Sequence, residues 1–203
     1  MTIRKGERWG EPGRLPQGAP TASSDHSLRQ IVVAAKATGR PVPTVGLLGG
    51  DLCRTVGGTG NRSRLDEGGV VLPIDLCRVS LDGEETWFCS HLVARRWLWF
   101  GSFAVVMNAQ WIGEWDVAPR AHPNDGLADL TEGRLPLGDR GEARRRVRSG
   151  AHVPHPSLHT ARGAHHTLRF PGGVAVWLDG RRVARRVREI DVEVAPDAFR
   201  VVV

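Results

Sequence analysis

Tyrosine is missing from this 203-residue chain, lysine occurs only twice, and the three cysteines include no Cys-x-x-Cys pair. Cys53, Cys77 and Cys89 are an odd, unpatterned set, which argues against a zinc ribbon or a redox motif. They fit reduced thiols in a cytosolic protein. Nor is there a stretch approaching the roughly 20 apolar residues of a membrane span. The longest apolar patch, Trp97 to Met107, is broken by Gly101 and Ser102. The N-terminus runs Met1-Thr2-Ile3-Arg4-Lys5 into glycine and proline instead of an apolar core, so no signal peptide is expected. These absences predict a cytoplasmic protein.

What is present is ordinary in bulk and biased in detail. At 40% hydrophobic and 25% charged residues, the composition is that of a soluble globular protein. A chain of this length buries a sizeable core without disulfides or metals. The net charge is +6 and the pI about 10.4, which favours anionic partners or serves solubility alone. Arginine supplies nearly all the positive charge and seven tryptophans stand against no tyrosine, biases that suit a GC-rich coding sequence.

Residues 1–23 are rich in glycine, proline and charge and read as an extended arm, with Trp9 suggesting that it docks. Residues 24–69 read as a helix–strand–loop segment. Ser24 or Asp25 caps a helix over about 25–38, with Leu28, Ile31, Val32 and Ala35 at helical spacing and Gly39 at its end. Val42 to Leu48 reads as a short buried strand, and 57–69 as a flexible glycine-rich loop. From residue 70 to 203 the period is that of strands. Val174, Val176 and Leu178 alternate before the hairpin signal Asp179-Gly180, and Ile190, Val192 and Val194 alternate with Asp191 and Glu193. Gly141 to Arg148 reads as a short basic helix. One buried and one wet face per strand predict a mainly β chain, an antiparallel β-sandwich preceded by a short α/β segment.

Several motifs carry chemistry. The run Glu114-Trp115-Asp116-Val117-Ala118-Pro119 leads into His122-Pro123-Asn124-Asp125-Gly126-Leu127-Ala128-Asp129. An Asp-Gly turn with free carbonyls suits a hard cation such as Mg²⁺ or Ca²⁺, and equally makes a plain hairpin. His152, His155, His159, His165 and His166 have spacings that could serve Zn²⁺, but Pro154 and Pro156 forbid a regular helix, so a solvated loop is expected. Arg144, Arg145, Arg146 and Arg148 form one basic cluster, and Arg181, Arg182, Arg185, Arg186 and Arg188 another. Either suits phosphates or a solvated face. No nucleic-acid motif accompanies them.

Taken in order, these pieces resemble the C-terminal domain of bacterial diacylglycerol kinases and related lipid kinases. Gly50-Asp51-Leu52-Cys53-Arg54-Thr55-Val56-Gly57 is similar to the family's Asn-Asp-hydrophobic-Ala-Arg-x-Leu-Gly helix start, and Pro73-Ile74-Asp75-Leu76 to its hydrophobic-Asp-Leu-Gly strand. Ala118-Pro119 and the 122–129 run resemble its Ala-Pro and Asp-Asp-Gly-Leu-x-Asp signature. Gly150-Ala151-His152-Val153-Pro154-His155-Pro156 resembles its Gly-x-His-x-x-His-Pro stretch. Leu178-Asp179-Gly180 and Val194-Ala195-Pro196-Asp197-Ala198 resemble its closing hairpin and final strand.

The resemblance spans about residues 42–203. It implies a β-sandwich that binds a lipid or other amphiphile, peripheral contact with an anionic membrane, and a structural Mg²⁺ held by Asp125 with the carbonyls of His122 and Leu127. Asp51, Arg54, Arg181 and Arg182 are the residues it implies for lipid or phosphate contact. Two departures follow. The family's Gly-Gly-Asp-Gly-Thr loop, whose amides cradle ATP, has no counterpart; Gly57-Gly58-Thr59-Gly60-Asn61 is the nearest string. About 45 residues upstream are too few for the alternating α/β nucleotide domain, of which 24–69 reads as a remnant. The family's glutamate after Asp-Gly is here Arg181, which replaces a proton acceptor with a permanent cation and leaves Asp179 as the one weak catalytic candidate. A catalytically impaired lipid-binding relative is therefore expected. The alternatives are an ATP-dependent lipid kinase that takes its nucleotide site from a partner chain or an unusual loop, and a basic β-domain adaptor without a ligand; a partner chain or a homodimer is among the expected partners.

Overall fold

A computed structural model describes residues 9–203. In chain order it contains β1 (Glu11–Gly13), β2 (Thr21–Ala22), α1 (Asp25–Ala37), β3 (Val45–Leu47), α2 (Asp51–Thr55), α3 (Arg62–Glu67), β4 (Gly69–Leu81), β5 (Glu84–Phe88), β6 (His91–Arg95), β7 (Phe103–Met107), β8 (Trp111–Ile112), β9 (Trp115–Asp116), β10 (Ala128–Gly133), α4 (Arg140–Arg146), β11 (Leu158–Gly163), β12 (His165–Leu178) and β13 (Arg181–Val202). The fold is mainly antiparallel β and builds a β-sandwich, as the alternation predicts. Strands run β1-β4-β13-β12-β6-β7-β10-β11, with β5 on β4, and β2 and β3 adding parallel pairs beside the end of β13.

The longest strands of the sheet bend, which lets it fold over on itself. In β12, Gly172-Gly173 interrupts the alternation, Gly173 takes a left-handed φ of 69°, and the pairing with β13 shifts between Arg169 and Val174. Beyond this bulge, residues 175–178 take β6 as a second neighbour. In β13 the Pro196-Asp197-Ala198 step shifts the pairing with β4 between Ala195 and Phe199. The inner face then gathers Val79, Phe88, Leu92, Val106, Leu178, Ile190 and Val192 into one core. A second core under the N-terminal segment joins Leu28 and Val32 of α1 to Leu52, Ile74 and Val201.

α1 begins as its sequence demands: Ser24 accepts from the Ser27 amide, and the Ser27 hydroxyl accepts from the Ser24 amide in return. Described residues of the arm are tied down. Trp9 donates to the Pro73 carbonyl at 3.4 Å and packs on the His122 ring. The loop expected over 57–69 instead contains α3, whose one buried side chain, Leu65, packs with Leu15 and Val202. The histidines expected in a solvated loop divide: His155 and His159 are accessible, whereas His152 and His166 are buried, His166 donating to the Ala128 carbonyl.

Candidate functional site

Three features of the sandwich could act on a ligand. The first is an apolar cavity of about 450 Å³ on the outer face of β6, β7 and β10. Strand alternation turns Val93, Phe103 and Val105 away from the main core and into this cavity. The β8–β9 hairpin adds Ile112 and Trp115, and α4 covers it with Ala143 and Arg144, followed by Val147. Besides Thr131, charged and titratable groups break the apolar wall. Arg140 and Arg144 bring permanent cations to it. His152 is only 6% exposed, and neither ring nitrogen has a hydrogen-bond partner. Burial lowers its proton affinity; the Asp116 charge and the nearby Val117 backbone, which does not reach bonding geometry, oppose this. A buried polar group without a partner carries a cost that a ligand hydroxyl, carbonyl or acid could relieve. The cavity therefore suits a molecule with an apolar body and one polar or anionic end.

The second feature is a buried acid cluster across the 111–116 hairpin from that cavity. Asp25 accepts from the Asp51 and Leu52 amides at 2.6 and 2.9 Å and so caps α2 from another element. Asp51 accepts from the Gly113 amide and lies 3.7 Å from the His91 ring. Asp179, with a left-handed φ of 49°, accepts from three successive amides, Cys89, Ser90 and His91. Burial raises the Asp179 carboxyl to about 7 against its three amide donors. Burial and the Asp25 charge raise Asp51 to about 6, and burial lowers His91 to about 4. The folded chain thus retains protons that the unfolded chain loses above the ordinary carboxyl value of 3.8. Stability on account of Asp179 is complete below about pH 4 and is lost as pH rises towards 7. We expect chemical denaturation between pH 5 and 7 to give a negative slope of up to about 1.4 kcal/mol per pH unit from this group. Asp179→Asn should flatten the slope, and an unchanged slope would count against the assignment.

The third feature is the turn from His122 to Leu127. Its anchor is Asp75, which is fully buried in β4 and accepts from the Gly126 amide at 2.6 Å and the Asp197 amide at 2.9 Å. Asp125 accepts from the Leu127 amide and ion-pairs with Arg162. Arg162 also pairs with Asp129 at 3.4 Å and donates to the Arg120 carbonyl. Burial raises the Asp125 carboxyl and the Arg162 charge opposes it. His122 accepts from the Asn124 amide. Among the described residues no group of three or more His, Cys, Asp or Glu is arranged for a metal. The Arg162 guanidinium pairs with both Asp125 and Asp129, so a divalent ion at Asp125 would have to compete with it. Arg162→Met should cost about 1–3 kcal/mol by leaving that charge unmatched. Millimolar Mg²⁺ or Ca²⁺ should then restore melting temperature in the variant and leave the wild type unmoved; stabilisation of the wild type by either ion would contradict this.

The other residues singled out in the sequence are dispersed. Arg54 stacks 3.5 Å over the Trp111 ring and donates to the Gly113 carbonyl, so with Asp51 it pins the 111–116 hairpin. Arg181 and Arg182 are exposed at the start of β13. Asp25, His91 and Asp75 carry no signal in the sequence that marks them as site residues. Asp25 reads as an ordinary helix cap, and only spatial proximity reveals its second task.

The family model of the YegS C-terminal NAD kinase beta sandwich-like domain matches residues 74–203. No curated protein matches the chain. Among solved structures, the chain is similar to a protein provisionally assigned as a diacylglycerol kinase of Bacillus anthracis str. Sterne, at TM-score 0.67 and 13% identity over 90% of this chain and 75% of that one. It is also similar to a structure described as a diacylglycerol kinase of the same strain, at TM-score 0.63 and 12% identity over 90% of this chain and 74% of that one.

Proposed function

The chain belongs to the family of the YegS C-terminal NAD kinase beta sandwich-like domain, and from that premise we propose that it is a lipid-kinase-like sandwich that binds a lipid or similar amphiphile and does not by itself transfer phosphate from ATP. The observation that carries the reading is the apolar cavity lined by a buried, unpartnered His152 together with Arg140 and Arg144. The apolar wall suits an acyl chain, and the imidazole and guanidinium groups suit its polar end.

Two features support the second half. In the Gly57-Gly58-Thr59-Gly60-Asn61 string, Gly58 and Gly60 serve close packing against the chain itself. A Cβ at Gly58 would meet the Cys53 sulfur at 2.6 Å, and one at Gly60 the Leu48 carbonyl oxygen at 2.6 Å. Asp179 spends its carboxylate on three amides, and the next position beyond the turn is the exposed Arg181. Phosphoryl transfer needs nucleotide positioning and charge stabilisation together. One observation favours the alternative, an active lipid kinase completed by a partner chain: Asp51 lies 3.7 Å from the His91 ring, and burial with the Asp25 charge raises its carboxyl to about 6. Solvent extraction of the purified protein followed by mass spectrometry tests the first half; absence of any enriched lipid would overturn it. ATP binding together with phosphate transfer to diacylglycerol would overturn the second.

A further inference from the structure

Soluble proteins seldom leave large apolar side chains clustered in water. Among the described residues five stand exposed, and four of them lie on two neighbouring loops: Trp97 at 76%, Leu98 at 55%, Phe100 at 43% and Leu137 at 69%. Arg140 joins the loops by donating to the carbonyls of Leu98 and Leu135, with its guanidinium over the Phe100 ring. The turn that holds Trp97 and Leu98 outwards is conformationally costly. Leu98 and Trp99 both take left-handed φ values, 48° and 60°, which bulky residues avoid. Folding alone would gain by turning these side chains inwards, so their exposure calls for something that covers them.

Charge identifies the cover. Residues 95–100 and 134–148 together hold eight arginines and two carboxylates, Asp139 and Glu142. Glu142 is already paired with Arg145 and Arg146. Arg96, Arg134, Arg144 and Arg148 are exposed in the same two segments of chain. A hydrophobic tip of tryptophan, leucine and phenylalanine in arginine-rich segments is complementary to a bilayer interface, where rings sit among headgroups and guanidinium groups meet lipid phosphates. No helix among the described residues is long and apolar enough to span. We propose that the 97–100 loop and Leu137 form a docking surface that inserts into the interface of an anionic membrane. Leu98 and Trp99 also line the cavity, so docking would set the cavity mouth against the lipid phase.

Co-sedimentation of the full chain with vesicles of phosphatidylcholine alone, and with added phosphatidylglycerol, tests this directly. Binding is expected to the anionic vesicles, to weaken with salt, and to be much lower on the neutral ones. Trp97→Ser with Leu98→Ser should lower partitioning at least tenfold. Leu137→Ser, on the other loop and away from the strained turn, should weaken it too, each variant keeping the wild-type far-ultraviolet circular dichroism. No binding of the wild type to anionic vesicles would overturn the proposal. So would undiminished binding of both variants, or a concentration-dependent self-association that the variants abolish in the absence of vesicle binding. A protein that carries lipid in its cavity yet ignores vesicles would sink this inference and leave the amphiphile reading intact.

Discussion

Asp75→Ala is expected to destabilise the chain by about 3 kcal/mol or more. Asp75 is fully buried and accepts from the amides of Gly126 and Asp197, with the Asn124 side chain 3.4 Å away. Alanine would leave a buried donor at Gly126 and a half-buried one at Asp197, each costing about 1–3 kcal/mol. Burial raises the Asp75 carboxyl to about 6, so part of this cost is offset by no longer burying an ionised group. For a chain of about this size each kcal/mol moves the melting temperature by about 2–4 °C, so a fall of roughly 6–12 °C is expected. Asp75→Asn keeps one acceptor but turns a donor towards an amide, and should cost about half as much. Scanning calorimetry checks both. Hydrogen exchange should show amide protection lost first at 123–127, because Asp75 accepts from the Gly126 amide of that turn. A loss below about 1 kcal/mol for the alanine variant would mean that the turn is held by its own backbone.

Ala143→Trp is expected to abolish most amphiphile retention while leaving the fold in place. Ala143 faces the cavity from α4 and is only partly buried, so an indole there occupies empty space rather than the packed sheet beneath. Retained lipid measured after extraction should fall about tenfold, equivalent to about 1.4 kcal/mol of binding. His152→Phe probes the polar end separately. It keeps the ring and removes the unpartnered nitrogens, so total retention should persist while the proportion of acidic or hydroxylated lipids drops. If Ala143→Trp retains as much lipid as the wild type, the cavity is not where lipid sits.

The chain by itself determined the elements whose causes are local. The Ser24 capping box starts a helix because its partners lie three residues apart. Val174, Val176 and Leu178 put one face of β12 indoors because strand side chains alternate, and Asp179-Gly180 closes the hairpin because Asp179 tolerates a left-handed φ with glycine next to it. The order of short motifs from Asp51 to Ala198 was enough to indicate the family that the match over residues 74–203 establishes. Other features depend on contacts that local sequence does not encode. α3 was legible only as a glycine-rich loop, since its single buried side chain meets partners some 50 residues before it and more than 130 after it, Leu15 and Val202. Trp97 to Phe100 reads as part of an apolar run and emerges as an exposed tip, because two left-handed residues turn it out of the sheet. Asp125 reads in the sequence as a turn residue or cation ligand, and nothing local shows that Arg162, 37 residues away, is brought against it. Hydrogen-bonding and burial decide such assignments, and both depend on which distant residues the folded sheet brings together.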